Sequence, residues 1–198
     1  MRLSRKKRVS RSRCVAFGNH HALYEGAGCG DLPRVRSSIK DGASVNAFDV
    51  SNGVTVLCAA AAGGRLRICR MLLKLGASPN TPDRFGKTPL MAAAEDGYYD
   101  ICKLLLSHKA DPSKKDYEYF TALHLAAHGG HTRTCILLIE NGADVNAENK
   151  KCKKAYDSAY NFGKLQTAQL LKSMEWLADT VGKKNAMAFL GSFGACVQ

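Results

Sequence analysis

Apolar residues in this chain recur in short helical stripes, not in strict alternation. Ile101, Leu104 and Leu105 fall at i, i+3 and i+4, the spacing that puts apolar side chains on one face of an α-helix. A run of small residues precedes that stripe, alanine at 92–94, and similar runs stand at 59–62 and 126–127. The pattern predicts pairs of short helices. The first of each pair is thin and alanine-rich, so that neighbours approach closely; the second carries a buried stripe. Pro89 marks a helix start, where its fixed φ is suitable and its missing N–H costs nothing. Gly76 and Gly142 follow the second helices as residues needing positive φ.

The pattern repeats. Thr55, Thr88 and Thr121 are 33 residues apart. Leu57, Leu90 and Leu123 keep the same step, as do Gly64, Gly97, Gly130 and Gly163, and Cys69, Cys102 and Cys135. Thr88-Pro89-Leu90 and Leu123-His124-Leu125-Ala126-Ala127 carry the motif most fully, and Gly142-Ala143-Asp144-Val145-Asn146-Ala147 supplies a recurring loop. In motif, period and order, this resembles the ankyrin repeat, whose signature is T-P-L-H-x-A on a 33-residue period.

The resemblance implies an all-α repeat solenoid of stacked helix-turn-helix units with β-turn fingers, about five repeats including degenerate caps. The layout it suggests is a basic disordered arm at 1–19 and a repeat domain at 20–173. The repeats fall near 20–48, 49–82, 83–115, 116–148 and 149–173, and a C-terminal helix and apolar tail occupy 174–198. The first helix is expected near 21–28, weakened by glycines 26, 28 and 30. The first finger carries one extra residue, since Gly42 and Gly76 are 34 apart. In the last repeat Lys154 stands where the motif has Thr, and Asp157 where it has His. One more helix is expected at 173–181, with Trp176, Leu177 and Val181 packing on the last repeat. The segment beyond it reads as a cap, a partner-dependent segment or the start of a further domain.

Composition excludes several classes. With 45% hydrophobic and 23% charged residues in 198, the chain is ordinary globular material. Its apolar stretches fall far short of the roughly 20 residues of a membrane-spanning helix. Eight cysteines are too dilute for a disulfide scaffold. The net charge of +12 is uneven: residues 1–24 hold seven bases and no acid, residues 25–148 fourteen of each sign, and residues 149–198 a net +5. Arg5, Lys6, Lys7 and Arg8 fit a nuclear-import or polyanion-binding patch. An Arg-rich, Ser-rich, acid-free start also describes a mitochondrial presequence, although here the charges are clumped. Ser10, behind Lys7-Arg8-Val9, suits a base-directed kinase. The expected location is cytoplasmic, nuclear or both.

Candidate chemistry is sparse. Cys69, Cys102 and Cys135 occupy one position in successive second helices. Such helices pack about 8–10 Å apart, too far for a disulfide, so these read as buried hydrophobes. Cys152 reads as the exposed thiol. His124, His128 and His131 have a spacing that suggests a metal face. The repeat motif accounts for His124 and His131, and neither metal nor cofactor is expected. Neither a G-x-S-x-G nor a phosphate-cradling loop occurs, so an enzyme is not expected.

The resemblance also implies a partner surface on the finger tips and first-helix ends. Carried over by position, it runs through Val50, Ser51, Val54, Ala62 and Gly63, then Arg84, Phe85, Lys87, Glu95 and Asp96. It continues through Tyr117, Glu118, Tyr119, Phe120, His128 and Gly129 to Lys150, Lys151, Lys153, Asn161 and Phe162. Phe85, Tyr117 and Tyr119 have the character of interface anchors, or else fold back on the neighbouring repeat. Tyr119 replaces the finger glycine. Asn146 matches the loop asparagine that such repeats often present for hydroxylation. The function expected is a monomeric, non-catalytic protein-interaction scaffold or adaptor, whose basic C-terminal end selects an acidic stretch of its partner. The alternative is nucleic-acid or polyanion binding through the two basic ends.

Overall fold

In the computed structural model, which describes residues 11–181, the helices run in five antiparallel pairs along one axis. They are α1 (Arg11–Cys29), α2 (Leu32–Lys40), α3 (Val56–Ala62), α4 (Leu66–Lys74), α5 (Pro89–Glu95), α6 (Tyr99–Ser107), α7 (Ala122–Gly129), α8 (Thr132–Glu140), α9 (Ala155–Asn161) and α10 (Leu165–Val181). Odd-numbered helices stack on one another as one layer and even-numbered helices as a second. The result is an all-α solenoid. Among the described residues, strand pairing is limited to an isolated antiparallel bridge between Phe48 and Thr55 in the first finger.

The 33-residue period sets the core. Leu57, Leu90 and Leu123 are buried at one position, Leu72, Leu105 and Leu138 at another, and Cys69, Cys102 and Cys135 at a third. Between them the alanines of α3, α5 and α7 close the first-helix layer. The threonines at helix starts supply local order. The Thr55 hydroxyl accepts the Cys58 N–H at 3.1 Å, and that of Thr88 accepts the Met91 N–H at 3.3 Å, each satisfying a donor the helix cannot use itself. At α9 the other half of the capping box remains: Asp157 accepts the Lys154 N–H at 2.8 Å, as His124 accepts that of Thr121 in α7.

Three expectations change. Helix α1 begins at Arg11, inside the stretch read as a solvated arm, and continues through the glycines that argued against it. Of those glycines Gly26 lies against α2, where a Cβ would meet Val35 at 3.3 Å. A Cβ at Gly63 would meet the Gly28 carbonyl oxygen at 2.5 Å, so small residues there let α1 and α3 approach. The helix expected at 173–181 is not separate, because no glycine or proline interrupts the chain and α10 runs unbroken from Leu165. In its last turns Met174 is buried and Leu177 half-buried, but Trp176 is 64% exposed and does not pack into the core as anticipated. Glu175 braces this end, taking the ammonium groups of Lys154 and, at 3.0 Å, Lys172; these hydrogen bonds hold its carboxyl below the usual range. Arg5, Lys6, Lys7, Arg8, Ser10 and the segment after 181, as well as the Val181 side chain, lie outside the described residues.

Lys109 occupies the position held by Gly76 and Gly142 in the flanking repeats, and its φ is +64°. Left-handed backbone costs a side-chain-bearing residue about 1 kcal/mol. Lys109→Gly is therefore expected to raise stability by up to about 1 kcal/mol, the added flexibility of the unfolded chain offsetting part of the gain. Thermal unfolding checks this; a lowered midpoint would show that the lysine side chain contributes more than its backbone costs.

Candidate functional site

The fingers are built by one acceptor per repeat. The Oδ1 of Asp83 takes the N–H groups of Phe85 and Lys87, at 2.8 and 2.9 Å. Asp116 does the same for Glu118 and Phe120, at 2.9 and 2.8 Å, and Asn149 for Lys151 and Lys153, at 2.9 and 3.1 Å. The turn this creates needs positive φ at one residue. Gly53 and Gly86 adopt it freely, and Tyr119 (φ +64°) and Cys152 (φ +53°) adopt it despite their side chains. The finger geometry that Tyr119 put in question is thus preserved.

Successive fingers are stitched to one another. Arg84 N–H donates to the Asn52 carbonyl at 3.2 Å, Tyr117 N–H to Phe85 at 3.0 Å, and Lys150 N–H to Glu118 at 3.1 Å. The Arg84 guanidinium adds a second clasp, donating to the carbonyls of Ser51 and Val50 at 2.6 Å each. The finger row is one connected ridge.

Side chains expected to meet a partner divide into two groups on this ridge. Arg84 is engaged with the preceding finger. Lys87 pairs with Glu95, and Glu118 with Lys150 at 3.2 Å. The Tyr119 ring lies between the Lys115 and Lys150 ammonium groups, 5.6 and 5.7 Å from its centroid. His128 packs on Phe162, ring centroids 3.9 Å apart, which gives that histidine a role the sequence left unexplained. Phe120 is half-buried and meets His124 edge-on. By contrast Phe85, Tyr117 and Tyr119 are 68%, 62% and 51% exposed, and Asp96, Lys151 and Lys153 are exposed as well. The aromatics do not fold into the core.

The other titratable groups serve architecture. His124 is buried; its Nδ1 accepts from the Thr121 N–H at 3.2 Å, and its Nε2–H reaches the Lys153 carbonyl at 3.1 Å in the next finger. Burial holds its pKa below the ordinary histidine value. His131 reaches back to the Glu95 carbonyl at 2.9 Å. The three histidines therefore face different partners. Among the described residues no group of three His, Cys, Asp or Glu stands close enough to hold a metal ion. Burial pushes the thiols of Cys58, Cys69, Cys102 and Cys135 up to about 12, whereas Cys29 and Cys152 are exposed. No described helix is long and apolar enough to cross a membrane. Asn146 accepts from the Lys154 ammonium at 3.2 Å, and its equivalents Asn46 and Asn80 receive the N–H of Ser78 and Asp111 in the following loops.

Sequence reasoning missed one feature. A groove of about 740 Å³ opens between α1, α3 and α5, lined among others by Tyr24, Cys29, Cys58, Ala62 and Lys87. The partner surface carried over by position starts at Val50, whereas this groove is shared with the first repeat. Phe48, 59% exposed beside the first finger, was legible by its position and was passed over.

Comparison with protein-family models finds ankyrin repeats in three copies over residues 20–116 and a further ankyrin repeat over 118–150.

Two outcomes follow from the buried groups. Above pH 6.5 His124 is neutral whether the chain is folded or not. As the pH falls through that value the unfolded chain takes up a proton that the native pocket resists, so stability drops. Urea midpoints at pH 7.5 and 5.0 should therefore show a smaller loss for His124→Gln than for the unaltered chain. Iodoacetamide at pH 8 should label Cys29 and Cys152 in the native protein, and reach Cys58, Cys69, Cys102 and Cys135 only in denaturant, as peptide mass mapping would show.

Proposed function

The chain belongs to the ankyrin repeat family, and from that premise we propose that it is a non-catalytic adaptor that holds a segment of a partner protein along its finger ridge and first-helix face. Repeats of this family are generally protein–protein interaction modules. The observation that carries the reading here is the row Phe85, Tyr117 and Tyr119: large rings left in solvent on consecutive fingers whose backbones are hydrogen-bonded together. Rings on a stiff ridge lose little freedom on binding, and aromatic anchors dominate interface energies. Lys151 and Lys153 on the next finger favour an acidic stretch in the partner. An interface of standard size would bury about 1,600 Å² in total.

A non-catalytic reading agrees with where the perturbed groups sit: the raised thiols and the lowered histidine are enclosed in the repeat core. In this reading the chain acts as a monomer in the cytoplasm or nucleus. Arg5, Lys6, Lys7 and Arg8 serve as its import signal, with Ser10 as a site where phosphorylation would cancel up to about two of the arm's positive charges. Hydroxylation of Asn146 would be a modification of the scaffold, not its function.

A lysate pull-down at low and high salt, with and without nuclease, tests the proposal against a Phe85→Ala, Tyr117→Ala, Tyr119→Ala variant. A defined protein that survives salt and nuclease and is lost in the variant is the expected result. Recovery of salt-sensitive nucleic acid alone, with no protein whose capture depends on the three rings, would replace this reading with nucleic-acid or polyanion binding.

A further inference from the structure

The central repeats are neutral as a whole, but their two faces are not. Helices α2 and α4 together carry six bases, Arg34, Arg36, Lys40, Arg67, Arg70 and Lys74, and not one acid. Two cations in this region are engaged: Arg34 pairs with Glu25 at 2.7 Å, and Arg65, just ahead of α4, donates to the Gly28 carbonyl at 3.0 Å. The other five, Arg36, Lys40, Arg67, Arg70 and Lys74, are exposed and take part in none of the ion pairs among the described residues. The opposite sides of these helices hold Val35 and Ser38, and Ile68, Cys69, Leu72 and Leu73, all buried, so the bases share the outer face.

The repeat aligns them. Arg36 and Arg70 are 34 residues apart, as are Lys40 and Lys74, and Lys103 on α6 follows Arg70 by 33. Each set therefore occupies one structural position in successive helices, which lie about 8–10 Å apart. Acids bound the face without entering it. Asp31 and Asp41 flank α2, Asp100 takes the place of Arg67 in α6, and Glu140 takes that of Lys74 in α8. The unbroken cationic face is therefore that of α2 and α4; in α6 Lys103 stands one turn from Asp100, and in α8 Arg133, at the position of Arg67, lies over the Tyr99 ring.

We propose that this outer face of α2 and α4 binds the phosphate backbone of a nucleic acid. Within α2 and α4 no large apolar residue is exposed, and Leu75 lies just past the end of α4. A protein partner would find no aromatic anchor there. A phosphate backbone needs none, because neutralising phosphates and releasing counterions supplies most of non-specific nucleic-acid affinity. Arginine predominates among the outward bases, and its planar fork matches phosphate oxygens. The site is separate from the aromatic finger ridge and from the basic ends of the chain, so its success or failure does not depend on the adaptor reading.

The test is anisotropy of a fluorescein-labelled 20-base-pair DNA duplex of mixed sequence, titrated with the full chain at 50, 100 and 200 mM salt. Three variants are compared: Arg36→Ala with Arg67→Ala, Arg70→Ala and Lys74→Ala; Arg5→Ala with Lys6→Ala, Lys7→Ala and Arg8→Ala; and the finger-aromatic triple. All four outer-face sites are exposed, and circular dichroism verifies that the helices persist. The unaltered chain should bind with an affinity that falls steeply with salt. The outer-face variant should lose at least tenfold in affinity at 100 mM, and its log–log salt slope should flatten by about three. The finger triple should bind as the unaltered chain does. Equal binding and equal slope in the outer-face variant would overturn the proposal, as would absence of binding at 50 mM. Competition by poly-glutamate as effective as that by unlabelled duplex would also overturn it, and would assign the face to an acidic protein segment.

Discussion

Helices of seven to nine residues do not persist alone in water, because the nucleating turn costs more than so few hydrogen bonds return. The inner helices of this chain are that short. They hold because alanines lie between them: Ala60, Ala93 and Ala126 are fully buried, and each first helix sits close against the next. A larger side chain at any of these points would push two repeats apart and expose leucines on both. Everything else depends on that spacing. It sets the step at which fingers meet, the reach of His124 to the next finger's carbonyl, and the alignment of charges on the outer helices.

Much of this was readable from residue order. Pro89 marked a helix start because its fixed φ suits the first turn and its missing N–H costs nothing there. The cysteine column declared itself buried by period alone. What the sequence concealed were contacts between repeats. Arg84 looked like a partner residue, yet it holds two carbonyls of the preceding finger. His128 looked unexplained until Phe162, 34 residues later, came beside it. Helix α1 was underestimated because glycine lowers helix propensity, while its compensation, the close approach to α3, is tertiary. Trp176 was expected to pack on the last repeat, but in α10 Met174 takes the buried position and the tryptophan is left largely exposed.

The same separation applies to function. Finger aromatics stood out one at a time in the sequence, as unusual residues in turns. The basic outer face did not, because charge summed along the chain cancels what burial sorts into opposite sides. Repeat proteins are prone to this. One register position, read down several repeats, makes a surface that no contiguous stretch of sequence displays.

The finger stitches have a mechanical consequence. Each pair of neighbouring fingers is joined by one backbone hydrogen bond; Arg84 adds a clasp between the first and second fingers, and the Glu118–Lys150 pair one between the third and fourth. Since each repeat touches only its neighbours, tension applied to the ends is carried in series. The molecule is then a spring of unequal coils. Under load, the fingers bearing Phe85 and Tyr117, which have the backbone bond without such a clasp, would part before the pairs that Arg84 and Lys150 hold. A partner gripping across that weaker span would work partly by stiffening it.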